Sequence, residues 1–195
     1  MKFLKSLSLT ALAAIAAFGL TASAQTSTWT IDKAHSGVQF SIRHLGVSNV
    51  HGSFSNVTGT VVYNEKDVTK SSVEAVIDAT TVNTSNDARD KHLKGPDFFD
   101  VTKNPTMTFK STHITSANGK IQMIGDLTLN GVTKSVTLDV DGPAPPQKGM
   151  GGKIVSGFSA SGIVKRSDFG FGSKFSAPAL GDEVKFTIDI EIAKQ

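Results

Sequence analysis

The side chain that first suggests chemistry is the imidazole of His44, which ends the segment Gly37–His44. Val38, Phe40 and Ile42 alternate with polar residues in this segment, and a period of two indicates a strand with one buried face. His44 falls on the same face as the three apolar residues. An imidazole there can donate a hydrogen bond or transfer a proton. Two interpretations stay open: His44 lies at the solvated rim of a packed core, or at the mouth of a hollow.

The other reactive groups show no pattern that defines a catalytic or metal site. The five histidines have neither H-x-H nor H-x-x-x-H spacing, so we expect no metal. The absence of cysteine excludes thiolate nucleophiles and cysteine–zinc sites. In the segment GFSAS, Ser161 replaces the second glycine of a G-x-S-x-G elbow, and the glycines of 149–152 are not followed by the G-K-[ST] of a P-loop. We therefore expect no catalytic residue and no cofactor.

Residues 1–24 are typical of a cleavable signal peptide. Lys2 and Lys5 precede an apolar run over 7–20, and Ala22-Ser23-Ala24 forms an A-x-A cleavage site. We expect residues 25–195 to form one domain in a bacterial periplasm, with no permanent membrane anchor. Removing the two lysines of the signal lowers the formal net charge from +3 to about +1, and the remaining basic residues are scattered. That pattern excludes a nucleic-acid partner.

Alternating apolar residues predict strands along most of the remaining chain. The predicted strands are 28–31, 37–44, 50–54 with 57–63 as one bent strand or a pair, 72–78, 106–111, 120–129, 132–140, 154–164 and 183–193. Asn130-Gly131 is the strongest hairpin signal. The proline- and glycine-rich segment 141–153 is predicted to be an exposed mobile loop without a strand.

One helix is predicted between Ser85 or Asn86, as the capping residue, and Gly95-Pro96. Its apolar stripe is thin, so we expect it to cover a sheet rather than join a helical bundle. About eight antiparallel strands with one short covering helix predict an all-β protein, in which a single sheet closes into a barrel and leaves no exposed edges.

Five spaced motifs resemble a known family: DKAHSGVQFSIRHLGVSNVHGSF, DARDKHLKGPDFFD, NPTMTFKST, GDLTLNGVTKSVTL and RSDFGF. Together they are similar to the YceI-like family of polyisoprenoid-binding proteins, over about 28–192. The resemblance implies an extended, lipocalin-like antiparallel β-barrel whose interior holds a long amphiphilic lipid, usually an isoprenoid. It also implies export, frequent dimerisation and no catalytic residue.

Small residues in the predicted strands bear on whether the barrel is hollow. Gly157, Ser159, Ala160, Ser161 and Gly162 lie in one strand, and Gly59 and Gly125 lie inside others. Such glycines either shape tight bends or leave volume for a lipid tail. Likewise, Phe98, Phe99, Phe169, Phe171 and Phe175 fall outside the predicted strands. They either plug the barrel ends or line the mouth of a pocket.

The polar candidates for contacting a lipid head group, such as a phosphate or a quinone carbonyl, are His44, Arg89 and His92. An ion pair of Arg89 with Asp90 or Asp100 is the structural alternative. The complete set of predicted ligand contacts is Val38, Phe40, Ile42, His44, Phe54, Arg89, His92, Leu93, Phe98, Phe99, Met107, Phe109, Phe169 and Phe171.

The function expected from the sequence is the periplasmic binding or transport of a non-covalently held lipid, such as an isoprenoid quinone or a polyprenyl phosphate. Two alternatives stay open. One is a lipid-modifying enzyme that uses the same cavity, with His44 as its acid or base. The other is a packed barrel whose loops bind another protein.

Overall fold

The computed structural model of the chain describes residues 26–195. The predicted signal peptide and its cleavage site lie outside the described residues, so both stay predictions. Within 26–195, no helix has the length and apolar character needed to cross a membrane.

The structure is an antiparallel β-barrel with one α-helix, as the sequence predicts. Its strands are β1 (Thr26–Ile31), β2 (Gly37–His44), β3 (Ser48–Phe54), β4 (Val57–Asn64), β5 (Ser72–Asp78), β6 (Thr106–Ala117), β7 (Lys120–Leu129), β8 (Val132–Asp141), β9 (Gln147–Lys148), β10 (Ile154–Lys165) and β11 (Leu180–Lys194). The helix α1 spans Asp87–Leu93. The side chain of Asn86 accepts a hydrogen bond from the amide of Arg89 at 3.0 Å, which confirms Asn86 as the predicted capping residue.

Strand β11 closes the barrel. One edge pairs with β10 from Val155 opposite Ala193 to Lys165 opposite Glu183. The other edge pairs with both β2 and β1. Strands β1 and β2 therefore share one position around the barrel, and β4 and β3, their respective neighbours, share the next. The sheet order then continues through β5, β6, β7 and β8 back to β10, which gives a closed barrel of eight positions.

Two local details differ from the sequence prediction. Strand β6 continues to Ala117 because a bulge between Ser111 and His113 shifts the alternation, so that Ile114 returns to the inner face. The segment 141–153 contains the short strand β9, so the prediction that it holds no strand is wrong. Gln147 and Lys148 lie between the prolines and the glycines of that segment, and they pair with Val155 and Ile154.

The barrel has two different ends. We call the end that carries His44, α1 and the start of β11 the upper end, and the end that carries Asn64 and Asp141 the lower end. The most deeply buried large side chains include Trp29 and Ile192 in the lower half and Phe169 at the upper end. The core therefore extends along the whole axis of the barrel.

Candidate ligand-binding site

A small apolar cavity of about 50 Å³ lies inside the lower half of the barrel. Its lining consists of Val61, Tyr63, Val68, Ser71, Val73, Ile114, Ile121, Met123, Val140, Pro143, Phe158 and Ile192. No charged side chain is among them, so nothing in the lining opposes an apolar ligand. The cavity is smaller than the roughly 150 Å³ that accepts one benzene molecule in an apolar protein interior. A long lipid tail therefore needs side chains to move.

None of the predicted ligand contacts lines this cavity. Half of the residues that do line it come from the inner faces of β4, β5, β6 and β7. The alternation of apolar residues in those strands already marks Val61, Val73 and Met123 as inward-facing. Sequence alone does not show how far along the barrel each of them lies, and that distance determines which inward residues meet at the cavity.

Three inward glycines are covered by phenylalanine rings from neighbouring strands. A Cβ atom added at Gly125 would come within 2.6 Å of the Phe109 ring, and one at Gly162 within 2.7 Å of the Phe186 ring. Gly52 stands in the same relation to Phe40. The interpretation that Gly125 and Gly162 leave free volume for a tail is therefore wrong for the structure as it stands, because aromatic rings fill that volume.

The upper inner wall nevertheless retains accessible apolar surface. Phe40, Ile42, Val136, Phe186 and Ile188 point inward according to the strand register and are only partly buried. Four of them, Phe40, Val136, Phe186 and Ile188, pack against the core cluster that contains Val38 and Met107. The inner wall is thus apolar from the lower cavity to the upper end.

Five phenylalanines form a continuous cluster across the upper end, which we call the aromatic plug: Phe54, Phe98, Phe99, Phe171 and Phe175. The ring centroids of Phe54 and Phe99 are 5.3 Å apart, those of Phe99 and Phe171 are 4.5 Å apart, and Phe98 stacks on Phe175 at 5.3 Å. Aromatic pairs at these distances stabilise each other beyond their burial. The plug joins β3, the loop after α1 and the loop before β11.

An ionic contact holds the outer side of the aromatic plug. His92 lies edge-on to Phe98 at 5.0 Å, and its Nε2 is 3.7 Å from Asp97. Lys174 contacts the other oxygen of Asp97 at 2.5 Å. The hydrogen bond from Lys174 is the main reason that the pKa of Asp97 lies below its ordinary value. The loop after α1 and the loop before β11 are therefore joined by charge as well as by aromatic packing.

Arg89 stabilises the loop before α1. Its Nε donates to the Thr84 hydroxyl and its Nη2 to the Thr84 carbonyl, both at 2.8 Å. Asp90 accepts from the amide and the hydroxyl of the same Thr84, at 2.9 and 2.5 Å. Arg89 and Asp90 thus both form hydrogen bonds with Thr84. This arrangement takes the place of the ion pair of Arg89 with Asp90 or Asp100 that the sequence offers as the structural alternative.

Arg166 is a structural centre that sequence reasoning missed. It is 6% exposed, and its guanidinium donates to the carbonyls of Phe171, Gly172, Phe175, Leu180 and Gly181. A buried cation with five acceptors fixes the course of the whole loop before β11. The motif RSDFGF contains this arginine, but the sequence gives no sign that its partners are main-chain carbonyls.

The other predicted contacts occupy three places. His44 is exposed at the rim, opposite Leu180 and Ser48 in the register. Phe54, Met107 and Phe109 are buried on the inner wall. Leu93 packs from α1 against the core, and Phe169 is 1% exposed at the upper end. The structure thus distributes the predicted residues between the upper end and the inner wall, while their role as ligand contacts stays a prediction.

One group of potential metal ligands occurs among residues 26–195. Asp32, His35 and Glu191 place one ligand atom each within 4.8 Å of one another, on the outside of the lower half of the barrel. His35 Nδ1 is 3.0 Å from Asp32, and this hydrogen bond is the main cause that raises the pKa of His35. His35 Nδ1 is therefore already engaged by Asp32, and a metal ion would have to displace this hydrogen bond.

Comparison with known proteins agrees with the fold. Residues 29–192 match the YceI-like domain. The chain is 38% identical over 175 residues to Protein YceI of Shigella flexneri, which covers 89% of this chain and 90% of that protein. Among solved structures, BcnA of Burkholderia cenocepacia superimposes with a TM-score of 0.74 at 24% identity, covering 83% of this chain and 98% of that one.

A second solved structure is a polyisoprenoid binding domain from Saccharophagus degradans implicated in plant cell wall breakdown. It superimposes with a TM-score of 0.62 at 13% identity, covering 86% of this chain and 98% of that one. At these identities, the two superpositions establish the shared barrel fold.

Proposed function

Because the chain belongs to the YceI-like family, we propose that it binds a long amphiphilic lipid of the isoprenoid type, non-covalently, inside the barrel. The observation that carries this proposal is the continuous apolar inner wall, which includes a cavity without a charged lining. The polyisoprenoid binding domain with the same fold supports the choice of lipid class. We further propose that the protein carries this lipid through a periplasm.

For the protein to bind such a lipid, the barrel must open around the lipid tail. A cavity of about 50 Å³ does not hold an isoprenoid chain, so the rings of Phe109 and Phe186 must turn away from Gly125 and Gly162. Each methylene buried contributes about 0.8 kcal/mol, and moving the rings and ordering the tail cost part of that gain. Affinity should therefore rise with tail length and depend little on the chemistry of the head group.

The head group, on the same proposal, lies at the upper end. His44 is exposed at the rim, and His92 is about half exposed beside the aromatic plug. Arg89 is the weaker candidate, because two of its nitrogens already donate to Thr84. The proposal assigns no catalytic role to any of the three.

The direct test is to purify the chain without detergent, extract it with organic solvent and analyse the extract by mass spectrometry. We expect an isoprenoid quinone, a polyprenyl phosphate or a related lipid in near-stoichiometric amount. A protein that is empty and also takes up neither added polyprenyl phosphate nor added quinone would contradict the proposal.

A matched pair of variants on β8 locates the lipid inside the barrel. Val140→Phe places a ring in the cavity, whereas Thr137→Phe places the same ring on the exposed outer face of the same strand. We expect Val140→Phe to lose bound lipid while it stays folded by circular dichroism, and Thr137→Phe to retain it. Equal retention by both variants would place the lipid elsewhere.

The packed-barrel interaction protein remains a second candidate function, which a specific observation favours. The cavity corresponds to only a few water volumes, and three phenylalanine rings occupy the space beside the inward glycines. A lipid-free protein with no uptake would favour this alternative. The enzyme alternative makes a different prediction: a bound lipid would change chemically on incubation, and His44→Ala would stop the change.

Localisation and assembly complete the proposal. Export rests on residues 1–24, and osmotic-shock fractionation of cells expressing the full chain tests it. The proposal of a homodimer is based on the family resemblance, and sedimentation velocity tests it. A full-length chain retained in the cytoplasm, or a strictly monomeric protein, would overturn the respective statement without affecting lipid binding.

A further inference from the structure

The turn between β2 and β3 carries an unusual residue. Leu45 has φ of 52° and Gly46 has φ of 68°, the pair of positive angles that a type I′ turn requires. Two other hairpin turns have nearly the same angles, and both are Asn-Gly: Asn118-Gly119 and Asn130-Gly131, each with φ of 52° and 74°. Asparagine tolerates this conformation, whereas a bulky side chain is strained in it.

Leucine is an exception in this conformation across residues 26–195. Every other non-glycine residue there with positive φ is asparagine, aspartate or serine. An asparagine at position 45 would relieve backbone strain and would also remove an aliphatic side chain that is 55% exposed. Neither local stability nor solubility accounts for leucine at this position. A contact between the Leu45 side chain and a binding partner would account for it.

Leu45 belongs to an exposed apolar surface formed by two adjacent loops. We call this surface the apolar tip: Leu45, Val47, Ala177, Pro178 and Ala179. Val47 is 80% exposed, and the three residues of the second loop are all exposed. The amide of Leu45 donates to the carbonyl of Ala179 at 3.2 Å, so one hydrogen bond joins the two loops. The apolar tip lies at the upper end of the barrel.

Arg166 and the aromatic plug hold the second loop in place. The guanidinium of Arg166 donates to the carbonyls of Phe175 and Leu180, which flank the three residues of the apolar tip. Phe175 itself stacks on Phe98 in the plug. The loop that carries Ala177, Pro178 and Ala179 is therefore held in a fixed position, directly beside the aromatic plug.

The charges around the apolar tip identify its partner. On the outward positions of β2, β3, β10 and β11 in this half, the cations are Arg43, Lys165 and Lys185, and the carboxylate is Glu183. The carboxylate of Asp182, also on β11, accepts from the amide and the hydroxyl of Ser167 and lies close enough to Lys165 for their charges to interact. Cations therefore still outnumber carboxylates, by three to two. A second copy meeting this one through the same surface would bring like charges together. An anionic lipid surface attracts the three cations and accepts the aliphatic side chains below its head groups.

We propose that the apolar tip docks on an anionic bilayer, with Leu45 and Val47 entering the acyl boundary and Arg43, Lys165 and Lys185 contacting lipid phosphates. The inference rests on the proposed function, because a protein that carries an amphiphilic lipid must collect it from a membrane. Docking in this orientation places the aromatic plug against the bilayer, so that the lipid enters through the upper end.

Flotation of the mature chain with phosphatidylethanolamine–phosphatidylglycerol vesicles tests the proposal. We expect the wild type to float with these vesicles, and to do so less with neutral phosphatidylcholine vesicles or at high salt. Leu45→Asn and Val47→Asn should each weaken binding by about tenfold, since each removes an aliphatic side chain from the acyl boundary. Met150→Asn is the matched control, because Met150 is fully exposed in the lower-end loop, and its binding should equal that of the wild type.

The Leu45→Asn variant also separates docking from folding. Because asparagine suits the turn, the thermal midpoint of Leu45→Asn should equal or exceed that of the wild type. A lower thermal midpoint together with lost vesicle binding would show that Leu45 serves the stability of the fold, and would overturn the proposal. Wild type that does not float, or Leu45→Asn that floats equally well, would also overturn it. A dimer that Leu45→Asn dissociates, with flotation unchanged, would identify a second copy as the partner instead.

Failure of docking and failure of the proposed function are distinguishable on one preparation. Extracted lipid together with no flotation would refute docking alone. Flotation by a lipid-free protein that takes up no added lipid would refute the carrier function and leave the docking surface in place.

Discussion

The ring of Phe109 lies against Gly125 on the neighbouring strand, so closely that a Cβ atom at Gly125 would come within 2.6 Å of the ring. The same Cβ would also meet the carbonyl oxygen of Lys110 at 2.6 Å. Glycine is required here because a ring and a main-chain carbonyl occupy the position of a side chain. Together with the matching contacts at Gly52 and Gly162, this relationship controls the free volume of the barrel.

Gly125→Ala should therefore destabilise the fold. We expect a loss of about 2 kcal/mol in the free energy of unfolding, the usual cost of overpacking a core, measured by urea denaturation. Phe109→Leu in the same chain should restore part of the loss, because it relieves the contact with the ring. Ser135→Ala, on the exposed face of β8, is the control and should change the unfolding free energy by less than about 0.5 kcal/mol. A neutral Gly125→Ala would show that β6 and β7 can separate without cost.

Phe186→Ala should enlarge the lumen, because it removes the ring that covers Gly162. Phe186 is half-buried, so we expect a loss of about 3 kcal/mol in unfolding free energy together with greater uptake of added polyprenyl phosphate. Uptake is measured by mass spectrometry of the repurified protein. Phe186→Leu retains most of the volume and serves as the comparison. Unchanged uptake by the alanine variant would argue that the ring does not limit entry of the tail.

Arg166→Met should loosen the loop before β11. Five main-chain carbonyls would lose a donor, and leaving buried acceptors unpaired is costly, so we expect a loss of about 3 kcal/mol in unfolding free energy. Hydrogen exchange should accelerate in residues 171–181 before it does so elsewhere. Arg43→Met removes an exposed arginine and should leave both measurements unchanged. Uniform acceleration over the whole barrel would instead indicate that Arg166 supports global stability.

The Asp32–His35 pair should produce a small pH dependence of stability. The hydrogen bond with Asp32, followed by the charge of Glu191, raises the pKa of His35 above 6.5. The hydrogen bond with His35 is the largest cause that lowers the pKa of Asp32 below 3.8. The stability that His35 contributes to the fold is fully present below pH 6.5 and is lost as the pH rises through the pKa of His35 in the folded protein. The stability that Asp32 contributes is fully present above pH 3.8 and is lost as the pH falls through the pKa of Asp32 in the folded protein.

The measurement for this pair is an NMR titration of His35 in the wild type and in Asp32→Asn. We expect the variant to titrate at lower pH, and the difference in thermal midpoint between the two proteins to be largest between about pH 4 and 6.5. Asp139→Asn, whose carboxylate contacts Gln122 instead, should leave the titration unchanged. An identical His35 titration in all three proteins would show that the hydrogen bond does not form in solution.

The strands were predictable because one face of nearly every strand is apolar. Val184, Phe186, Ile188, Ile190 and Ile192 alternate without interruption in β11, and the barrel follows from many such patterns. The bulge in β6 was not predictable from the sequence. Thr112 and His113 interrupt the alternation of apolar and polar residues, and an interruption alone does not distinguish a bulge from the end of a strand. Its location depends on how β7 pairs with β6, which a single strand sequence does not contain.

The candidate site was predictable in composition but not in position. The phenylalanines outside the strands do meet, as Phe98, Phe99 and Phe171 show. The cavity at the other end was missed because alternation tells which way a side chain points and not its height in the barrel. The rings over Gly125 and Gly162 depend on cross-strand register, and the carbonyl partners of Arg166 depend on the path of a loop.

Strand β11 has a further consequence for how the chain folds. It pairs with β10 on one edge and with β1 and β2 on the other, so Trp29 meets Lys194 across almost the whole sequence. Until β11 arrives, the β2–β3 hairpin is separate from the sheet that runs from β1 through β4 to β10, and both retain open edges that can pair with other chains. Ring closure is therefore the late, non-local step of high contact order, and the interval before it is when nascent molecules most need protection from aggregation.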